Sequence, residues 1–573
     1  MRRRLPPLAP LLALLATTGC GDTATLSLLP ATSSGRIEAA VRLPRAARLR
    51  LAWRAASEEP PLRAPGVQVW LQRDGEQGEL LRDVPFPAGA AETSVTIDLG
   101  AHAGETCLLR ATAGARPVTW ERAELSGGGP FGRPARPEDW RVRPRRGAPD
   151  VVVYLIDTLR PDVLGTYGGP GPTPTLDRLA AEGAVFERAY STTSWTRPAV
   201  ASLFTSLPVA AHRTETEAFS LPEGVLTLAE RFRLRGYQTL GVVANGHVFH
   251  SFNFDQGFET YDELRISTPE SPVWAADLET TNVTAAQVHA LALQRLARDR
   301  DPRRPLFLYV QTVEPHSPYH PPEWLLEPPR PAVNANNFLL RSINEAGGAT
   351  PRILRELALS YRGAVAYADR ELGKFLSALG PRVDLGRAVL AVTSDHGEGF
   401  FEHHLIGHRH WLYEEMIRIP LILHGPGVPA GRRDIAPASL VDVGPTLVGL
   451  ADRPPEATGP GRDRLLADPS SRRDEAVHAE FHQGTAVVRG EWKLTYHPDY
   501  PEALRFALFN LREDPGESRD RSQQQPEVAR SLETEFRAWS AAAKQRAVEP
   551  LPVNVGLLEP HLRQNLRALG YLR

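Results

Sequence analysis

The sequence predicts an α/β protein: a mostly parallel sheet flanked by helices, with a β-sandwich-like domain ahead of it and a small antiparallel sheet behind it. Three observations lead there. The run "VVVYLID", ending at Asp157, is apolar without alternation, as a parallel strand buried on both faces should be. Helical and apolar strand patterns then alternate as far as about residue 450. Before Asp150 the stretches are short, alternate in hydrophobicity and are cut by Gly/Pro/Asp turns. The bulk composition permits this. The chain has 573 residues, 42% hydrophobic and 23% charged, enough for several domains and a core that needs neither disulfide nor metal. A formal net charge of −2 supplies no basic field for nucleic acid. Cys20 and Cys107 are the only cysteines, which excludes a disulfide framework and a cysteine-rich zinc site.

Taken in order, residues 1–20 read as a signal peptide. Three arginines precede an apolar run too short to span a bilayer, and small residues precede Cys20. The ending "TTGC" resembles a bacterial lipobox, so an exported protein is expected, periplasmic or held at the outer membrane by a lipid on Cys20. That lipid is the one membrane attachment expected. Cys107 is then expected to be a lone buried thiol. Residues 21–145 form the β-rich domain plus a linker, with strands at "RIEAAVRLP", "ARLRLAWRAA", "VQVWLQRD" and "TSVTIDLG". They hold no cluster of His, Asp or Glu that marks a site; a spacer or a carbohydrate-binding module are the two readings.

Residues 146–454 form the large domain. "VLTLAERFRLRG", "NVTAAQVHALALQRLARD" and "RELALSYRGAVAYADRELGKFLSALG" are helices, and "YQTLGVVAN", "LFLYVQTV" and "RAVLAVTSD" are strands. Residues 455–573 form the C-terminal subdomain. There "AVVRGEWKLTYHPDY" and "ALFNLREDPGE" make the small sheet, and "LLEPHLRQNLRALGYLR" is expected to be helical.

The chemistry gathers where ligands sit in such sheets, at the carboxyl ends of strands. Asp157, the Glu314/His316 pair and Asp395/His396 all stand at such ends. Two carboxylates and an imidazole suit one divalent cation, with oxygen ligands fitting calcium or manganese and the histidine fitting manganese or zinc. Singly, each has a plainer reading: Asp157 as a helix N-cap, "DHGEG" as a loop. In "STTSWTRPAVASLFTS", Thr196 is followed by a proline-containing helix pattern, which puts its hydroxyl at a helix N-terminus. Thr196 is either a simple cap or a nucleophile. As a nucleophile it needs a base or a cation to lower its pKa.

From Asp150 to about Leu450 the chain resembles the sulfatase branch of the alkaline phosphatase superfamily. Ordered stretches carry the resemblance: "VVVYLIDTLRPDVLGTYG", "GYQTLGVVAN", "FDQGFETYDE", "LFLYVQTVEPHSPYHPP", "SDHGEGFFEHHLIGHRHWLYEEMIRIPLILHGPG" and "SLVDVGPTLVGLAD". The departures are specific. Sulfatases carry a Cys or Ser, matured to formylglycine, within C/S-x-P-x-R. Here Thr196 holds that position, Pro198 keeps the proline and Val200 replaces the arginine. A threonine methyl stands where the aldehyde hydrogen must go, so formylglycine cannot form. Thr158 replaces the second aspartate of the usual pair, and His408 or His410 replaces the usual lysine.

What remains is similar to members that use a threonine nucleophile on manganese or zinc to cleave phosphodiesters or transfer phospholipid headgroups. That resemblance implies Asp157, Thr196, Asp395 and His396 as metal ligands. It implies Thr196, His316 and His408 as catalytic residues, and His410 and Glu314 as substrate contacts. The expected function is hydrolysis of a sulfate or phosphate ester, carried on a small molecule, glycan or lipid, with phosphate or phosphonate favoured because formylglycine cannot form. A headgroup transferase and a non-catalytic glycan-binding relative are the competing classes. His212, His320, His403 and His404 are read as loop, surface or supporting residues, and "YEE" and Arg418 as scaffold.

Overall fold

In the computed structural model the residues described are 17–18, 23–28, 36–55, 67–74, 78–85, 93–113, 118–128, 141–264, 283–319, 321–322, 325–326, 337–409, 411–452, 464–482, 484–498 and 505–553. Cys20, His320, His410 and the C-terminal stretch expected to be helical lie outside them. The chain divides into two compact units. One takes Met1–Arg146 with Glu223–Gln238 and Arg298–Arg304; the other takes Gly147–Pro222, Thr239–Ala297 and Pro305–Arg573.

The first unit holds two antiparallel sheets on one core. One sheet runs in the order 17–18, 23–27, 118–128, 45–55, 93–98, and the other 36–42, 106–112, 67–72, 79–84. Val67, Val69 and Leu71 alternate inward from one sheet, Leu49, Leu51 and Trp53 from the other, and Cys107 is buried among them. Burial pushes the Cys107 thiol up to about 12, so it is an inert thiol. Four strands had no clear alternating signal: Thr23–Ser27, Glu79–Val84, Thr106–Thr112 and Val118–Gly128. The strand Thr106–Thr112 is buried on both faces because Arg110, fully buried, is neutralised by Glu38 at 2.7 Å, Glu223 at 3.1 Å and Glu230. The helix Leu228–Arg233, which the pattern assigns to the large domain, falls in this unit with Glu223 and Glu230.

The second unit is built on an eight-stranded sheet. Its strands in chain order are β1 (Val151–Ile156), β2 (Ala184–Phe186), β3 (Gln238–Val243), β4 (Thr260–Glu263), β5 (Leu306–Thr312), β6 (Val389–Thr393), β7 (Leu421–His424) and β8 (Arg432–Asp434), in the spatial order β4-β3-β5-β1-β6-β7-β2-β8. Strand β1 runs parallel to β5 and β6, and β7 is antiparallel to its neighbours β6 and β2. Every residue of β1, β5 and β6 is buried, because helices cover the sheet. Helices α1 (Pro174–Glu182), α3 (Ala285–Asp299) and α4 (Pro351–Leu379) contribute Leu176, Val288 and Leu372 to the same core as Val152, Leu308 and Leu390. Truncating one such side chain, Leu308→Ala, would cost about 2–5 kcal/mol. Helix α2 (Thr196–Thr205) lies between α1 and β3 in the chain and is buried throughout.

A four-stranded antiparallel sheet follows: Val477–Phe481, Gly484–Arg489, Trp492–Tyr496 and Phe506–Asn510. Helix α5 (Pro526–Gln545) packs Leu532 and Phe536 against Val487, Leu494 and Leu508 of that sheet. No helix among the described residues is long and apolar enough to cross a membrane.

Candidate metal and nucleophile site

The parallel register brings the acids together. Leu155 on β1 is paired with Thr393 on β6, so Asp157 and Asp395 each stand two residues beyond the same rung. Both are fully buried, as is His396. Their ligand atoms lie within 4.8 Å of one another. His396 Nε2 is 3.8 Å from Asp157 Oδ1 and 3.5 Å from Asp395 Oδ2.

The hydrogen bonds sort each carboxylate into one occupied and one open oxygen. Asp395 Oδ1 accepts from the backbone N–H groups of His396 (2.9 Å) and Thr158 (3.2 Å). Thr158 delivers its N–H from a left-handed backbone, φ 56°, and its carbonyl accepts from the Tyr361 hydroxyl at 2.7 Å. Asp157 Oδ2 accepts from the Asn245 amide at 2.6 Å. Asp157 Oδ1 and Asp395 Oδ2, the two oxygens that face His396, have no hydrogen-bond partner. Buried anions without partners are costly. Burial and the neighbouring Asp395 push the Asp157 carboxyl well above the usual carboxylate range. His396 Nδ1–H donates to the Gly397 carbonyl at 2.9 Å, which turns the Nε2 lone pair towards the two acids. A divalent cation fits this donor set: it satisfies both orphaned oxygens and relieves the repulsion between the two acids.

Thr196 is the first residue of α2, after Trp195 in an extended conformation. Its Oγ1 lies 3.3 Å from His396 Nε2 and 3.3 Å from Asn245 Nδ2. The hydroxyl is therefore at the open side of the acid pair, at the positive end of a ten-residue helix. Below it, Ser202 Oγ accepts from Thr192 Oγ1 at 2.9 Å and contacts His212 Nε2 at 3.0 Å, while His212 Nδ1 accepts from the Thr214 N–H. Burial holds His212 down at about 3, so it stays neutral and bonds the helix to its following turn.

Two more histidines face the cluster. The His408 ring centroid is 4.6 Å from that of His396 and 4.8 Å from that of His316. Like His396, each is held at Nδ1: His316 by the Ser317 carbonyl at 2.5 Å, His408 by Glu398 Oε1 at 3.1 Å. Burial and the adjacent His408 lower His316 to about 4. Glu314 has a partner other than the expected substrate: its Oε2 accepts from the Ala285 N–H at 2.5 Å, at the start of α3. Burial raises its carboxyl to about 7. Pointing at a helix terminus satisfies it better than pointing at an acid-rich site would.

Three residues of the site carried no sequence signal strong enough to select them. Asn245 stands two residues past the end of β3, and its strand-end position was the available clue. Glu398, fully buried three residues after Asp395, looked like part of a glycine-rich loop. His247 is buried beside Arg197; burial and that guanidinium hold it well below its ordinary value. Arg197 does not replace the arginine lost at Val200. It donates to the carbonyls of Glu217 (3.0 Å) and Phe219 (3.3 Å) and lies 3.6 Å from the Phe252 ring centre. The scaffold residues behave as such. His403 bonds Glu415 at 2.7 Å and stacks on Tyr413, Glu414 meets Lys493 at 3.2 Å, and Arg418 donates to the Glu187 carbonyl.

A doubly acidic, histidine-bearing cluster at the carboxyl edge of a mostly parallel sheet, with a helix-terminal hydroxyl against its histidine, is the site of an ester hydrolase of the alkaline phosphatase-like class. A family model described as Sulfatase matches residues 149–453, and the chain belongs to that family. An arylsulfatase of Clostridium perfringens is 24% identical over 442 residues, covering 64% of this chain and 89% of that one. A phosphonate monoester hydrolase of Agrobacterium radiobacter superposes with a TM-score of 0.57 at 20% identity, covering 69% of this chain and 96% of that one. A protein solved with its substrate D-glucosamine-2-N,6-O-disulfate does so with a TM-score of 0.57 at 18% identity, covering 70% and 98%.

Proposed function

We propose that this sulfatase-family hydrolase cleaves a phosphate or phosphonate ester through a covalent intermediate on Thr196. The observation that carries the reading is the placement of the Thr196 hydroxyl 3.3 Å from His396 Nε2, beside two carboxylate oxygens that have no partner. Asp157, Asp395, His396 and Thr196 are the residues that would hold the cation; manganese or zinc suits three oxygens and an imidazole better than calcium does. When bound, the cation supplies Lewis acidity and a positive charge beside the reacting hydroxyl.

The chain's own residues supply the rest. Thr196 Oγ1 gives up its proton to solvent and attacks phosphorus in line, and the bond to the leaving oxygen breaks. The helix terminus favours the added charge on the non-bridging oxygens. His408, bonded at Nδ1 to Glu398, gives a proton to the departing alkoxide. Water then attacks phosphorus, and the bond to Oγ1 breaks. The same imidazole takes up the proton that water loses. Formylglycine can expel sulfate by elimination from its hydrate; a threonine ester has no such route, so it must be released by attack at the central atom. That requirement favours phosphorus over sulfur.

The substrate is a small-molecule, glycan or lipid ester. Export, and a lipid on Cys20, rest on the leader sequence. A substrate panel of aryl sulfate, phosphate monoester, phosphodiester and phosphonate monoester tests the reading. The phosphodiester or phosphonate should turn over fastest, and a preference for aryl sulfate by tenfold or more would reject the assignment to phosphorus.

A further inference from the structure

The side chain of Asn245 is tied at all its polar atoms. Nδ2 donates to Asp157 Oδ2 at 2.6 Å and to Thr196 Oγ1 at 3.3 Å, and Oδ1 accepts from the His247 N–H at 2.9 Å. The last bond fixes which end of the amide faces the site, because a flipped amide would oppose its NH2 to a backbone N–H. Asn245 is buried two residues past the end of β3, a strand buried along its whole length, so these distances are held by the fold. A metal ligand that needed only support could have been given any donor. What stands out here is that one amide serves both an acid and the hydroxyl opposite it.

We propose that Asn245 is a further catalytic residue: its amide holds Asp157 with Oδ1 turned inward, and its second N–H stabilises Thr196 Oγ1 whenever that oxygen carries charge. The inference rests on Thr196 being the nucleophile. In the first step the hydroxyl proton leaves to solvent, Oγ1 bonds to phosphorus, and the alcohol departs with a proton from His408. In the second, water adds to phosphorus and gives its proton to His408, and Oγ1 departs as an alkoxide before solvent reprotonates it. The same neutral donor faces Oγ1 in both steps. An amide suits this task because it does not compete with Thr196 for the cation as a carboxylate would, and does not repel the cation as a lysine would.

The test compares the full-length wild type with Asn245→Ala, Asn245→Leu and Thr196→Ala. Asn245→Leu keeps the side-chain size in case the alanine variant folds poorly, and thermal melts verify both. Manganese affinity is titrated without substrate, and turnover of an aryl phosphodiester is measured at saturating manganese. Loss of the support on Asp157 should weaken manganese binding by about tenfold or more. Loss of the donor on Oγ1 should lower kcat by about 10²-fold even with manganese saturating. Turnover within twofold of wild type in the folded Asn245 variants at saturating manganese overturns the inference, since the donor on Thr196 would then be idle. If Thr196→Ala itself retains turnover, the nucleophile assignment fails and this inference falls with it; a dead Thr196→Ala beside an active Asn245→Ala rejects the Asn245 role alone.

Discussion

Thr196 Oγ1 and His396 Nε2 lie 3.3 Å apart although 200 residues separate them in the chain. The contact joins the start of α2 to the loop after β6, and it places an alcohol against an imidazole whose other nitrogen is already bonded to the Gly397 carbonyl. With the two orphaned carboxylate oxygens alongside, it is the geometry on which the proposed chemistry depends.

Removing either side of that contact should stop the reaction. Thr196→Ala and Asp395→Asn are each expected to lower aryl phosphodiester hydrolysis by 10³-fold or more, on the order of 4 kcal/mol in the barrier. Circular dichroism should show an unchanged fold. Substantial turnover by purified Thr196→Ala would exclude a covalent role for this residue.

The cation should be removable and selective. EDTA should abolish activity, and manganese or zinc should restore it to a higher level than calcium, because an imidazole sits among the ligands. Reconstitution of the chelated protein with each metal in turn checks this, and full recovery with calcium alone would contradict the ligand assignment.

Glu398 grips Nδ1 of His408 at 3.1 Å, so it should set the orientation of the proton donor. Glu398→Gln and His408→Ala should therefore share a signature. Both should lose more activity, by about tenfold or more, on esters with poor alkyl leaving groups than on nitrophenyl esters, which need little protonation. Rates measured across a leaving-group series decide it, and a uniform loss in both variants would assign Glu398 to support alone.

Glu314 should act through α3. Glu314→Ala removes the acceptor at the Ala285 N–H and should cost about 1 kcal/mol of stability. At saturating manganese, kcat should change less than threefold. Denaturant unfolding and steady-state kinetics measure the two effects; a hundredfold loss of kcat in a stable protein would return Glu314 to the substrate site.

His212 should make the fold acid-sensitive. Its folded value, about 3, lies below the ordinary 6.5, so on acidification the unfolded chain takes up the proton first. Stability from this group is complete above about pH 6.5 and is lost progressively as pH falls towards 3. Unfolding free energies between pH 7 and 4 should fall less steeply, by one proton, in His212→Asn than in the wild type. Equal slopes would show that His212 is not buried as a neutral group.

The sequence by itself determined the outline. Continuous apolar runs such as "VVVYLID" are legible because a strand buried on both faces favours apolar side chains on both, and Asp157 is conspicuous as the first charged residue beyond such a run. The short alternating strands around Ile37, Leu49, Val67 and Val95 were legible because one face packs on the core and the other does not. Thr106–Thr112 was not, because its charged Arg110 is buried only by virtue of acids distant in the chain. The same limit applied at the site. Asp157, Asp395, His396 and Thr196 stand out by position and type, whereas Asn245, His247 and Glu398 look like ordinary loop residues. Which carboxylate oxygen stays open, which nitrogen of His316, His396 and His408 is already bonded, and that Glu314 accepts from the start of α3 were decided by the tertiary structure alone. Hydrogen bonds between chain-distant partners determine those outcomes, and no local pattern encodes them.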